Sequence, residues 1–197
     1  MLKPFSQACI NNRDAILHQL QRLLVDSQWI LEVGSGTGQH AVYFSHALPH
    51  LNWQTSDLEE NHQGINEWVD EAPHKNCLKP LVLDVTNPVW PSKQYDAVFT
   101  ANTLHICSWQ QVELFFQHAT QSLKPNGYLI VYGPFKYAGE YTSESNARFD
   151  QFLKATHPGR GIRDIEKLTK LAIGNSLALV EDQAMPANNR LLVFKQC

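Results

Sequence analysis

Three glycines at alternate positions, Gly34, Gly36 and Gly38 in LEVGSGTGQH, follow directly on an apolar run and a single carboxylate, Glu32. Glycine inside a regular element is less favourable than alanine by roughly 0.5–1 kcal/mol. Three so close together therefore mark a backbone that turns sharply and leaves room for a ligand. Two further acids fit such a site: Asp57 closes NWQTSD about twenty residues beyond the loop, and Asp84 lies in LVLDV. The chemistry that glycines and carboxylates share is the binding of a polar small molecule, by backbone N–H groups on one side and anionic acceptors on the other. The spacing is not that of a dinucleotide fingerprint, because Gln39 stands where GxGxxG requires its last glycine. It is not a phosphate-binding P-loop either, since no Lys-Ser/Thr pair follows.

These residues need a scaffold, and the hydrophobic pattern supplies one. Ile16, Leu20, Leu23 and Leu24 share one face of a helix expected near 12–25, ahead of the strand WILEV. Ala41, Phe44, Ser45 and Leu48 give the next helix its inward face. The segments 52–57, 81–85, 95–102 and 128–133 read as four further strands. Between the last two, Ser108 and Gln111 form a capping box that opens a helix, and KPNG at 124–127 stops it. Strands that alternate with helices imply parallel pairing with right-handed crossovers. Continuous apolar strands imply a sheet covered on both faces. The tail departs from this rhythm: helical periodicity near 145–156 and at Ile165, Leu168 and Ala172 precedes two strands, 177–185 and 190–195. Pro186 to Asn189 separate them, as in an antiparallel hairpin. One α/β domain over 1–197 is expected, with an N-terminal helical segment (1–27), a ligand-binding core (28–135), a segment that forms either a substrate lid or a helix packed on the sheet (136–176), and a closing hairpin (177–197).

Glu32-x-Gly34-x-Gly36-x-Gly38 resembles motif I of the class I S-adenosylmethionine-dependent methyltransferases. That cofactor carries an amino-acid zwitterion and a sulfonium cation rather than a pyrophosphate. A carboxylate beside the loop can attract its ammonium, Asp57 can accept from both ribose hydroxyls, and Asp84 can accept from the adenine amino group. Almost the whole chain, from about Pro4 to Lys195, also resembles a small family of uncharacterised methyltransferase-like proteins, a domain of unknown function. The matching segments are NNRDAIL, LEVGSGTGQHAVYF, LPHLNWQTSD and ANTLHI, with YGPFKYAGEYTSESNARFD, GIRD and MPANN. NNRD departs slightly, the family often having proline soon after a basic residue. The resemblance implies a Rossmann-like class I methyltransferase fold with a seven-stranded, mostly parallel sheet in the order 3-2-1-4-5-7-6. It carries over no substrate and no catalytic residue. Ser35, Val85 and Asn102 complete the expected cofactor set by their positions in the loop and after the third and fourth strands.

For the chemistry, His105 in ANTLHI is either a general base or a polar residue packed beneath its loop. The expected acceptor wall comprises Tyr132, Phe135 and Tyr141, with Asn146, Arg163 and Asn188 as polar additions. A small, partly polar acceptor suits such a set. Net charge is −3, with no Lys/Arg run, and neither (N/D)PP(Y/F) nor a Pro-Cys nucleophile is present, which argues against nucleic acid. No segment reads as a signal peptide or membrane span. The four cysteines, Cys9, Cys77, Cys107 and Cys197, lack metal-ligand spacing and suit reduced thiols in a cytoplasmic protein. No metal is expected. Two rivals stand beside a methyltransferase acting on a small molecule: a binding or scaffold protein that has lost turnover, and an NAD-dependent oxidoreductase, which Gln39 disfavours.

Overall fold

A computed structural model describes residues 3–87 and 89–197. The first helix, α1 (Gln7–Leu23), begins earlier than its apolar periodicity suggests, because the Ser6 side chain caps it by accepting the Cys9 N–H. Ile16, Leu20 and Leu24 are wholly buried beneath it, whereas Leu23 is only half-buried. Then β1 (Trp29–Val33), α2 (Gln39–Ala47), β2 (Asn52–Asp57), α3 (His62–Asp70), β3 (Cys77–Val82) and β4 (Tyr95–Ala101) alternate as expected. The helix α4 (Trp109–Ser122) opens on the Ser108–Gln111 capping box.

Seven strands form one sheet. β1 to β4 pair in parallel with one another and with β5 (Leu123–Gly133). The hairpin β9 (Leu177–Met185) and β10 (Asn189–Gln196) is antiparallel, with β10 inserted between β5 and β9. Counted within this sheet, the order is 3-2-1-4-5-7-6. Helices cover both faces. Ile16 of α1, Phe44 of α2 and Ile65 of α3 pack with Ile30 and Phe99 on one side. Phe115 and Phe116 of α4 pack with Leu31 and Val98 on the other, together with Leu168 of α6 (Ile165–Gly174). Neighbouring strand residues point to opposite faces, so a sheet covered on both sides needs apolar residues at both.

Three expectations need correction. The third strand is not 81–85: β3 runs from Cys77 to Val82, paired from Trp53↔Cys77 to Asp57↔Val82, and it stops where β2 runs out of partners. Pro80, which has no N–H, is tolerated because β3 lies at the sheet edge. KPNG does not simply separate helix from strand. α4 ends at Ser122, and β5 already pairs at Leu123↔Tyr95 before an irregularity carries the register to Tyr128↔Ala97, with Asn126 at φ 63°. The region 136–176 is not of one kind. β6 (Phe135–Tyr137), β7 (Glu140–Tyr141) and β8 (Arg163–Asp164) form a separate three-stranded sheet, α5 (Glu144–Thr156) spans its middle, and α6 belongs to the main core.

Candidate functional site

The loop after β1 is built on three left-handed glycines, with φ of +74° at Gly34, +58° at Gly36 and +87° at Gly38. Other residues adopt that region at a cost. Side chains would also be crowded at two of the three. A Cβ on Gly34 would lie 2.9 Å from Thr103 Oγ1, and one on Gly38 would lie 3.1 Å from Ile65 Cα. Gly36 differs: nothing lies within 4 Å of its missing Cβ, so its backbone borders open space.

The carboxylates expected to face a ligand are partly engaged by the protein. Glu32 is 2% exposed, and its Oε2 accepts from Trp53 Nε1 at 3.1 Å and Ser35 Oγ at 3.0 Å. Burial raises its pKa to about 7 against the lowering effect of those two hydrogen bonds. Ser35 Oγ also accepts the Ser56 N–H at 3.2 Å, so both side chains lie under the loop and tie it to β2. Asp57, 9% exposed, stands at the end of β2. Its Oδ2 accepts the Gly36 N–H at 2.7 Å, and its Oδ1 accepts the Leu58 N–H and Asn61 Nδ2. Carboxylate oxygens have about four lone-pair positions, which leaves room for a ligand hydroxyl. Asp84 and Val85, half-buried, lie in a turn just past β3, where Asp84 Oδ1 holds the Thr86 N–H and hydroxyl at 2.8 Å each.

A cavity of about 420 Å³ opens at the carboxyl ends of β4 and β5, where Asn102 lines it next to the Thr103 that Gly34 abuts. Asn102, held left-handed at φ 59°, lines it together with His105 and Tyr132. His105 is 7% exposed and meets Phe149 edge to face at 5.2 Å between centroids. Burial, then the charges of Arg163 and Arg160, lower its pKa to about 4, so the imidazole is neutral at physiological pH. Asn146 and Phe149 of α5 form another wall, and Pro186, Ala187 and Asn189 of the β9–β10 turn a third. Burial raises the Tyr132 phenol above its ordinary pKa.

Of the side chains expected to meet an acceptor, Tyr132 and Asn146 line this cavity and four do not. Phe135 is core. Tyr141 donates to the buried carboxylate of Asp150 at 2.6 Å. Asn188 offers its backbone carbonyl to Asn146 Nδ2 at 3.1 Å. Arg163 points its guanidinium at the carbonyls of Leu104, Cys107 and Gly159, anchoring the segment that carries His105. Sequence reasoning missed the wall from α1, made of Ala8, Asn11 and Asn12. The signal was present: two adjacent asparagines in a helix are poor helix formers. Asn12, 7% exposed, meets His40 Nε2 at 2.7 Å with its Oδ1.

The strand order, with a glycine loop after the first strand and acids after the second and third, is the class I S-adenosylmethionine-dependent methyltransferase fold. The chain belongs to the family described as "Protein of unknown function (DUF938)", which matches residues 3–196. Its fold is similar to an O-methyltransferase family protein from Burkholderia thailandensis, with a TM-score of 0.80 and 14% identity over 93% of this chain and 58% of that one. It is also similar to the S-adenosylmethionine-dependent methyltransferase SibL, with a TM-score of 0.81 and 20% identity over 95% and 55% of the two chains. An O-methyltransferase family 2 protein from Planctomyces limnophilus, solved in complex with apigenin, matches with a TM-score of 0.80 and 18% identity over 95% and 57%. The chain therefore spans little more than half the length of these proteins. No helix among the described residues is long and apolar enough to cross a membrane.

Proposed function

We propose that this protein binds S-adenosylmethionine at the glycine loop and transfers its methyl group to a small molecule held in the neighbouring cavity. The observation that carries this reading is the open space beside the left-handed Gly36, on a glycine loop at the same edge of the sheet as a cavity. Gly34 abuts Thr103, and the adjacent Asn102 lines the cavity, so the two halves of the site meet at the end of β4. Solved proteins of the same fold that are named as methyltransferases support the choice of cofactor.

When bound, the cofactor supplies an electrophilic methyl carbon on a positively charged sulfur. The chain's own task is to hold and orient. Asp57 is placed to accept from ribose hydroxyls while bracing the loop, Asp84 and Val85 to border the adenine, and Asn102 to contact the amino-acid end or the adenosine. Glu32 acts from beneath the loop instead of touching the ammonium. His105, neutral and weakly basic, is suited to accept a hydrogen bond from the acceptor, and so positions it more than it stores a proton. Alignment of a nucleophile at about 3–3.5 Å from the methyl carbon is the main contribution such a site makes. The net charge of −3 favours a small molecule over nucleic acid.

The test is thermal unfolding and calorimetric titration of ligand-free protein with S-adenosylmethionine, S-adenosylhomocysteine and NAD. Saturation at about a hundred times Kd adds roughly 2.7 kcal/mol, or about 5–10 °C at this size. Stabilisation by the two adenosyl-sulfur ligands and not by NAD is expected, and its absence would refute the reading. Binding without turnover across a metabolite extract would leave a cofactor-binding scaffold.

A further inference from the structure

We infer that the cavity selects an uncharged ligand rich in hydroxyl or N–H donors and discriminates against carboxylates, phosphates and ammonium groups. That this ligand is the methyl acceptor rests on the function proposed above; the charge preference rests on the lining itself. Five of the chain's thirteen asparagines converge there: Asn11, Asn12, Asn102, Asn146 and Asn189. Among the described residues, no Asp, Glu, Lys or Arg lines the cavity, and His105 is neutral.

The protein's own hydrogen bonds fix which polar atoms remain for a ligand. Asn146 donates its amide nitrogen to Thr142 Oγ1 at 2.8 Å and to the Asn188 carbonyl at 3.1 Å. Asn189 donates its amide nitrogen to the Pro186 carbonyl at 3.2 Å. Both amides thus leave mainly carbonyl oxygen to a ligand, and the His105 ring adds an acceptor nitrogen. Asn12 is oriented the other way, its oxygen toward His40 and its amide group toward the Tyr132 hydroxyl. Phe149, Pro134 and Pro186 supply apolar surface for a ring or chain.

A carboxylate entering this cavity exchanges water for a mainly apolar wall with a few neutral amides, and no cation among the described lining residues compensates its charge. Arg163, behind His105, is already held by three carbonyls. An ammonium meets oxygens but no carboxylate, and the charges of Arg163 and Arg160 felt at His105 oppose it. Burying an unpaired charge costs far more than burying a neutral, hydrogen-bonded group. A volume of about 420 Å³ suits a ligand of one or two rings.

The experiment uses three probes on one ring: 4-hydroxybenzyl alcohol, 4-hydroxybenzoate and tyramine, neutral, anionic and cationic in turn. Each is titrated into the full chain by NMR, with and without S-adenosylhomocysteine, so that the cavity is tested even where the cofactor reading fails. The neutral probe is expected to bind at least tenfold more tightly than either charged one, perturbing Asn102, Asn146 and Asn189. Asn11→Lys, an exposed position at the cavity rim, is expected to narrow or reverse the preference over the anion. Equal or tighter binding of a charged probe to the unaltered protein overturns the inference. So does failure of the neutral probe to bind, or binding away from these residues.

Discussion

Asp57 closes the glycine loop: its Oδ2 accepts the Gly36 N–H at 2.7 Å, across the gap between the ends of β1 and β2. On the function proposed above, the same carboxylate that braces the loop also accepts from the ribose hydroxyls. Asp57→Ala is expected to weaken S-adenosylhomocysteine binding by about ten- to hundredfold, the scale of a hydrogen bond to a charged group. Calorimetric titration decides it, and an unchanged Kd in a folded variant removes Asp57 from the cofactor site.

The three glycines are predicted to fail differently when changed to alanine. All three carry a left-handed penalty of roughly 1–2 kcal/mol. Gly36→Ala adds only a methyl in open space, so its loss of Tm is the smallest while its loss of cofactor affinity exceeds tenfold. Gly38→Ala drives a Cβ toward the α3 backbone and is expected to cost the most stability. Parallel melting and titration of the three variants give the ranking; equal losses in all three contradict it.

Glu32 gives a pH signature. Its folded pKa, about 7, lies above the ordinary 4.5, so the stabilisation associated with its neutral form is complete below about pH 4.5 and is lost as pH rises through 7. Glu32→Gln can still accept from Trp53 and Ser35 without the buried charge. It is expected to raise Tm at about pH 8 by roughly 2–8 °C and to make little difference near pH 4.5. A variant less stable than its parent at alkaline pH would count against a buried, charge-averse Glu32. His105 and His40 act in the opposite sense: their folded values, about 4 each, lie below 6.5, so each removes stability as pH falls from 6.5 toward 4.

Arg163 is predicted to act on the site through the backbone. Arg163→Lys keeps a charge but loses the planar fork that spans the Leu104, Cys107 and Gly159 carbonyls. A loss of about 2–4 kcal/mol in denaturant unfolding is expected, with the resonances of His105 shifted and cofactor affinity unchanged within about twofold. Full stability in the lysine variant would show that the guanidinium is not the anchor.

What was legible in the sequence is what is local. The apolar runs of β1 and β4, the Ser108–Gln111 cap and the left-handed glycines each announce themselves within a few residues. The end of β3 is decided by the length of β2, and the strands β6, β7 and β8 are two or three residues long, too short for a period to register. Sidedness is likewise a tertiary property. Arg163 and Asn146 looked alike as polar groups after the fifth strand, yet one holds backbone carbonyls and the other faces the cavity. Asn12 gained a place in the wall only because α1 packs against α2, where His40 meets it.

The cavity wall runs from Ala8 to Asn189, so it gathers residues far apart in the sequence. The glycine loop rests on residues as far along as Ile65 and Thr103, whereas the cavity also needs the β9–β10 turn for one of its walls. A ligand in the cavity therefore ties α1, β4, α5 and the β9–β10 turn together, which makes its binding a report on how these separate elements are packed.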